Sequence, residues 1–305
     1  MDHDGRLVGT RILVTGASGF LGSHLCRRLH REGATLRGVS RVERASPEFI
    51  RWSHDDLTDL ASVRRLFDEE RPQAVFHLAG AVTAGTALEL VEPIFRSLLT
   101  STVNILVASA EFGRPRVVLA ASLEEPQEVD AVPASPYAAA KAASGAYGRM
   151  FHALYEVPVV SVRPFMTYGP VQQRGKILPH VITSLLEGRA PQLASGTRLV
   201  DWIYVDDVIE GMVMAATRAG IEGQTLDLGS GTLVAIREAV ETIVTIMQPP
   251  VEPVFGAVAD RPFEIRRVAD VERTKRLLGW EPTTTLETGL RRTIDWYRSH
   301  AGEPA

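Results

Sequence analysis

Tyr137 and Lys141 lie four residues apart in the alanine-rich segment Tyr137-Ala138-Ala139-Ala140-Lys141. Alanine favours helix, and positions i and i+4 share a helix face, so a phenol and an ammonium are expected side by side. An adjacent positive charge favours the phenolate. It would bring a tyrosine pKa down from about 10 toward neutrality and make Tyr137 a proton donor or acceptor near pH 7. Ser122 follows the apolar run Val117 to Ala120, at the carboxyl end of an expected strand, where open α/β sheets bind ligands. Its hydroxyl is placed to bond the same substrate oxygen.

A second constellation lies upstream. Arg11 to Thr15 runs directly into Gly16-Ala17-Ser18-Gly19-Phe20-Leu21-Gly22, three glycines at three-residue spacing between a strand and a helix. The first glycines let the backbone turn and approach a pyrophosphate, the helix start offers N–H groups and partial positive charge, and Gly22 lets helix and sheet pack closely. The expected ligand is a nicotinamide dinucleotide. An acid about 20 residues on would bond the ribose of NAD, whereas arginine suits the 2′-phosphate of NADP. Ser40-Arg41 holds that place and Arg44 follows, so NADP is favoured over NAD, with solvated loop charges as the alternative for both arginines. Asp56 and Leu57 offer a carboxylate and an apolar contact to adenine, and Ala79-Gly80 leaves room for the cofactor to cross the sheet edge.

These residues need a parallel sheet to carry them. Short β-branched runs at Arg11–Thr15, Thr35–Ser40, Phe49–Ser53, Ala74–Leu78, Val117–Ala120 and Val159–Val162 alternate with helical patterns, the first from about Phe20 to Glu32. This predicts an α/β fold, a doubly wound Rossmann sheet over 1–165 to which the chain returns near 199–229. After Arg163, prolines and glycines break the rhythm, and 166–305 reads mainly as a smaller C-terminal substrate-binding domain. Helical patterns recur at Asp206–Arg218, Ile236–Met247, Asp270–Leu278 and Leu286–Arg298. With 45% hydrophobic residues in 305, the chain can bury a core, and a net charge of −4 without a basic block gives no footing for nucleic acid. Cys26 is the only cysteine, which excludes an internal disulfide and a cysteine-rich metal site. No uninterrupted apolar run reaches the roughly 18 residues of a membrane span, and the start lacks signal-peptide character, so a cytoplasmic enzyme without a membrane partner is expected.

Taken together, the sequence resembles the extended short-chain dehydrogenase/reductases, specifically the nucleotide-sugar epimerase/dehydratase family, over nearly its whole length. The marks are the glycine loop, Asp56-Leu57, Val75-Phe76-His77-Leu78-Ala79, Ser122, Tyr137 with Lys141, Arg163-Pro164-Phe165 leading to Tyr168-Gly169-Pro170, Asp201-Trp202-Ile203-Tyr204-Val205-Asp206-Asp207, and Leu277-Leu278-Gly279-Trp280. The resemblance implies that Tyr137 exchanges a proton with a sugar hydroxyl or ketone, Lys141 also holds the nicotinamide ribose, and Ser122 orients the oxygen. It adds Ser18, Phe20, Leu21, Leu78 and Pro164 to the cofactor set, and implies a nucleotide-sugar substrate and a homodimer packed through the Tyr-Lys helix. Arg261 matches the family's phosphate-binding arginine, with Glu264 nearby for ribose. Val200-Asp201-Trp202 lacks another arginine of the family, for which Arg198 is a substitute. Met166 and Leu98 stand where relatives carry asparagine.

The segment after Ser122 departs furthest. Leu123-Glu124-Glu125-Pro126-Gln127 replaces a Val-Tyr-Gly neighbourhood, and only 14 residues separate Ser122 from Tyr137. In the family's 4,6-dehydratases the serine or threonine is followed by an acid and then a base. Glu124 takes the base's place and Leu123 the acid's, which disfavours elimination; Glu124 and Glu125 as solvated loop charges are the alternative. Hydride transfer at the sugar C4 is then expected, narrowly as an NADPH-dependent 4-ketoreductase of a 4-keto-6-deoxy sugar nucleotide, with an NAD-dependent 4-epimerase as the alternative.

Overall fold

The computed structural model describes residues 7–42, 44, 47–83, 85–128, 130–260 and 266–300. In chain order the main elements are β1 (Arg11–Thr15), α1 (Phe20–Arg31), β2 (Thr35–Val39), β3 (Ile50–Ser53), α2 (Leu60–Glu70), β4 (Ala74–His77), α3 (Val91–Ile94), α4 (Ser101–Glu111), β5 (Arg116–Ala120), α5 (Pro136–Tyr155), β6 (Val159–Pro164) and β7 (Met166–Tyr168). There follow α6 (Ile177–Leu186), β8 (Gln192–Leu193), β9 (Leu199–Tyr204), α7 (Val205–Thr217), β10 (Thr225–Leu228), β11 (Leu233–Ala235), α8 (Ile236–Met247), β12 (Val254–Phe255), α9 (Val271–Leu278) and α10 (Leu286–Ser299).

Seven strands form one sheet in the order β10-β6-β5-β4-β1-β2-β3. The pairs β1–β2, β1–β4, β2–β3, β4–β5 and β5–β6 are all parallel. This is a Rossmann-like α/β fold, with the strand order reversing between β1 and β4. Parallel strands covered on both faces are apolar throughout: Leu13, Val75, Val117 and Val159 meet Phe67, Ile105, Leu106 and Phe151 in one core. The helices follow their sequence. In α1, Gly22, Leu25, Cys26 and Leu29 face inward at helical spacing, and Arg28, His30 and Arg31 sit in the last turn, where the dipole favours cations. Burial pushes the Cys26 thiol up to about 12, leaving it inert. Helix α5 begins with Ser135, whose hydroxyl accepts from Ala138 N, and with Pro136 in the first turn.

The chain divides into two compact units, one of Met1–Arg163, Ile209–Leu226 and Arg276–Trp280, the other of Pro164–Val208, Asp227–Lys275 and Glu281–Ala305. In the second, β9 pairs in parallel with β7 and antiparallel with β11. Asp201 on β9 is buried and accepts from the backbone N–H groups of Ser230, Gly231 and Ala269. Asp207 likewise accepts from Thr283 and Thr284 N–H. These two aspartates, from one expected motif, tie loops to β9 and α7. Beyond Arg163 the chain forms the strands β7, β9 and β11, of which β7 and β11 are only three residues long and too brief for alternation to reveal.

One helical stretch, Leu88–Glu111, is long and apolar enough to cross a bilayer by length and composition. Its inward face, including Ile94, Leu98, Ile105 and Leu106, is buried in the protein. Between α3 and α4 it passes through a π-helical turn, Phe95–Thr100. A buried polar chain joins it to the sheet. Thr15 Oγ1 accepts from Leu78 N at 3.2 Å and Ala79 N at 3.1 Å, so its own proton goes to His77 Nδ1 at 2.8 Å. His77 Nε2–H then donates to Thr102 Oγ1 at 3.1 Å, and Thr102 to Leu98 O at 2.6 Å.

That chain needs a neutral imidazole, and burial, aided by the charge of Lys141, lowers His77 to about 3. Between 3 and the ordinary value of 6.5 the unfolded chain binds a proton that the folded chain does not, so stability falls as pH falls through this window. The slope contributed by His77 reaches about 1.4 kcal/mol per pH unit. Urea titrations from pH 7 to 5 are expected to show a shallower loss of stability for His77→Gln than for the wild type; equal slopes would refute the neutral-histidine account.

Candidate active site

Every strand of the main sheet from β1 to β6 ends near the same edge, and the site is built from the loops that leave it. Gly16 has φ +69°, and a Cβ there would lie 2.8 Å from the Leu78 carbonyl carbon. At Gly22 a Cβ would come within 2.8 Å of Ala17 Cα and closer still to Gly16 O, so glycine alone lets α1 sit this tightly on the loop. Gly19 is the N-cap of α1 and supplies no side-chain cap. The result is a backbone cradle facing a positive helix end, with Ser18 and Gly19 exposed and Phe20 and Leu21 half-buried beside it. Such a cradle fits a dinucleotide pyrophosphate.

Further along the edge, Ser40 Oγ accepts from Val42 N at 3.2 Å and from Arg44 Nε at 3.4 Å, while Arg41 and Arg44 stay exposed. Asp56 Oδ1 accepts from Thr58 N and Oγ1, which hold its carboxyl below the usual range, with Arg96 and Arg41 adding to the effect. Leu57, read as a ring contact, is buried in the main core, and Asn104 holds its carbonyl. Ala79 is half-buried and Gly80 is exposed with φ +140°; a Cβ on Gly80 would strike Leu98. Its positive φ and the nearness of Leu98 both favour glycine here. Pro164 ends β6 at the same edge.

Ser122, Tyr137 and Lys141 meet in the first unit. All three are 7–8% exposed, and Ser122 stands close enough to Tyr137 to favour its phenolate. Lys141 Nζ donates to Ala120 O at 2.7 Å and lies 6.0 Å from the centre of the Tyr137 ring. Burial lowers Lys141 to about 8. Tyr137 does not follow the expectation of a depressed pKa. Burial raises it above the ordinary 10, Glu124 and Glu125 raise it further, and only the nearby Ser122 opposes. The lysine's charge is spent on the Ala120 carbonyl, and two carboxylates face the phenol, so at pH 7 Tyr137 is a neutral proton donor.

Leu98 packs with Ile94, Tyr137 and Ala140, putting hydrocarbon against the phenol. Glu124 is half-buried, and its N–H donates to Ser122 Oγ at 3.2 Å. Glu125 is no solvated loop charge: it is buried, with Oε1 accepting from Ser122 N at 2.8 Å and Oε2 paired with Arg163 Nη2 at 3.0 Å. Ser122 and Glu125 close a turn on each other, since Glu125 N–H also donates to the Ser122 carbonyl at 3.2 Å. In the second unit Met166 is half-buried on β7, paired in register with Trp202, and Arg198 is half-buried just before β9. Arg261 and Glu264 lie outside the described residues.

The profile of the NAD dependent epimerase/dehydratase family matches residues 12–229, and the chain belongs to that family. UDP-glucose 4-epimerase of Mycolicibacterium smegmatis is 29% identical over 95% of this chain and 99% of its own. dTDP-glucose 4,6-dehydratase 1 of Escherichia coli K12 is 28% identical over 95% and 93%. The crystal structure of Thermus thermophilus UDP-glucose 4-epimerase in complex with NAD superposes with a TM-score of 0.83 at 26% identity, covering 95% of this chain and 99% of that one. The protein is thus an enzyme of the extended short-chain dehydrogenase/reductase type, and the glycine cradle fits the cofactor of its family.

Replacing Gly22 by alanine is expected to weaken NADH binding at least tenfold, about 1.4 kcal/mol, measured by NADH fluorescence titration. Gly175→Ala, where a Cβ would meet nothing within 4 Å, serves as the control and is expected to bind normally.

Proposed function

We propose that the protein is an NAD-dependent nucleotide-sugar 4-epimerase. The observation that carries this reading is the buried set Ser122, Tyr137 and Lys141 beside a loop in which Leu123 offers no acid to protonate a departing hydroxyl. A chain able to move a proton at C4 but poorly equipped to eliminate at C5 and C6 suits inversion at C4 better than dehydration. The nicotinamide, when bound, supplies a reversible hydride acceptor. Ser122 holds the C4 oxygen, Tyr137 gives or takes its proton, and the Lys141 ammonium lowers the cost of the tyrosinate once it turns from Ala120 toward the site. Gly16, Ser18, Gly19, Phe20, Leu21 and Gly22 would hold the pyrophosphate, and Arg198 and Arg261 are the candidates for the substrate diphosphate. We place the enzyme in the cytoplasm as a homodimer that covers the exposed Leu88, Phe95 and Leu154 of the helices around α5.

A second reading, an NADPH-dependent 4-ketoreductase, has two observations in its favour. Arg41 and Arg44 flank Ser40 where NAD enzymes place an acid, and the neutral Tyr137 is in the protonation state from which a ketone is reduced. One experiment separates the two. The purified protein is assayed for copurified nucleotide and offered UDP- and dTDP-hexoses, together with their 4-keto-6-deoxy forms and either reduced cofactor. Bound NAD and interconversion of C4 epimers without net cofactor consumption are expected; stoichiometric NADPH oxidation with a 4-keto substrate would establish the reductase instead. Tyr137→Phe is expected to lower kcat about 10²- to 10⁴-fold with cofactor binding retained.

A further inference from the structure

We infer that Glu125 is a positioning residue for the reaction: paired with Arg163, it fixes Ser122 beside Tyr137, its carboxylate taking the Ser122 N–H while Arg163 takes the Ser122 carbonyl. This rests on the reading of Ser122 as the group that orients the sugar oxygen. The geometry is closed. Glu125 Oε1 accepts the Ser122 N–H at 2.8 Å, Arg163 Nε donates to the Ser122 carbonyl at 3.2 Å, and Arg163 Nη2 meets Glu125 Oε2 at 3.0 Å. The hydroxyl of Ser122 is constrained as well, since Glu124 N–H donates to it at 3.2 Å. Three polar atoms of one residue are thus held by two side chains and two backbone amides, the second being Glu125 N–H on the Ser122 carbonyl at 3.2 Å.

A buried carboxylate is costly unless it is paired and hydrogen-bonded, and this one is both, with side-chain exposures of 14% for Arg163 and 9% for Glu125. A turn after a strand does not need such an arrangement, because an ordinary cap would satisfy its amides. What the ion pair adds is a tie from the end of β5 to the end of β6, across which Ser122 cannot swing. Displacement of a reacting group by about 1 Å can cost roughly a hundredfold in rate, so fixing this loop has catalytic value. Both Glu125 oxygens are engaged with protein groups, which makes it a positioning residue and not an acid or base.

The test is a double-mutant cycle with Ser122, using whichever of UDP-glucose, UDP-galactose, dTDP-glucose or UDP-glucuronate the wild type turns over fastest. Glu125→Ala is expected to lower kcat about 10- to 100-fold with KM changed less than about threefold. Glu125→Gln, which can still accept the Ser122 N–H, is expected to recover to within about fivefold of wild type. In a Ser122→Ala background, Glu125→Ala is expected to cost less than about threefold, because the group it positions is gone. An equal loss in both backgrounds overturns the inference. If Glu125→Ala does not fold, Glu125→Gln and Arg163→Lys are carried through the same cycle under the same criterion. If the wild type turns over none of the four sugars, the proposed reaction fails separately. Hydrogen exchange of the 121–125 backbone then decides the clamp, with faster exchange in Glu125→Ala than in Glu125→Gln expected and equal exchange overturning it.

Discussion

The hydroxyl of Thr15 is the point on which the ligand edge of the sheet depends. It sits at the end of β1, fully buried, and takes the N–H groups of Leu78 and Ala79 where β4 ends. In a doubly wound sheet these two strand ends flank the place where strand order reverses, and the loops leaving them must diverge to leave a crevice. Thr15 sets how far they diverge. Gly16 can then pass within van der Waals distance of the Leu78 carbonyl, and the start of α1 is aimed across the gap. The same hydroxyl donates onward to His77, so the glycine cradle, the β4 end and the helix carrying Leu98 form one hydrogen-bonded body. Each member is out of water, where an unmade bond would cost its full desolvation.

The chemistry is shaped by the opposition of burial and charge around Tyr137. The sequence places a cation one turn away, which argues for an easily ionised phenol. In the folded chain the phenol lies under Leu98 and faces Glu124 and Glu125, while the lysine is bound to a carbonyl. Burial penalises phenolate and ammonium alike, raising one group and lowering the other. The site therefore rests with its proton on oxygen. The Lys141 ammonium, meanwhile, is committed to the Ala120 carbonyl at 2.7 Å.

Much of the frame was legible in the residues. Arg11–Thr15 followed by three spaced glycines left little choice of local structure, and Ile236–Met247 was bounded by its apolar period alone. The strands beyond Arg163 were illegible because three-residue strands such as β7 and β11 carry no period to read. Within the site, Tyr137 and Lys141 were legible from spacing, but the tyrosine's ionisation was not, since burial and the aim of the Lys141 ammonium are tertiary facts. Glu125 was hidden for a different reason. Its partner Arg163 is 38 residues away, and no local spacing in the sequence links the two.

The π-helical turn at Phe95–Thr100 gives the segment from Leu88 to Glu111 an unusual relation to chain length. A π turn carries one residue more than an α-helix of the same rise, closing i→i+5 bonds in place of i→i+4. Excising one residue would restore the regular ladder and turn one flank against the other by about 100°. Thr102 and Leu98 could not then both keep their places, one on His77 and the other over Gly80. The register of the helix is thus fixed by length as well as by packing: a deletion here would shift the wall behind Tyr137 that Leu98 forms.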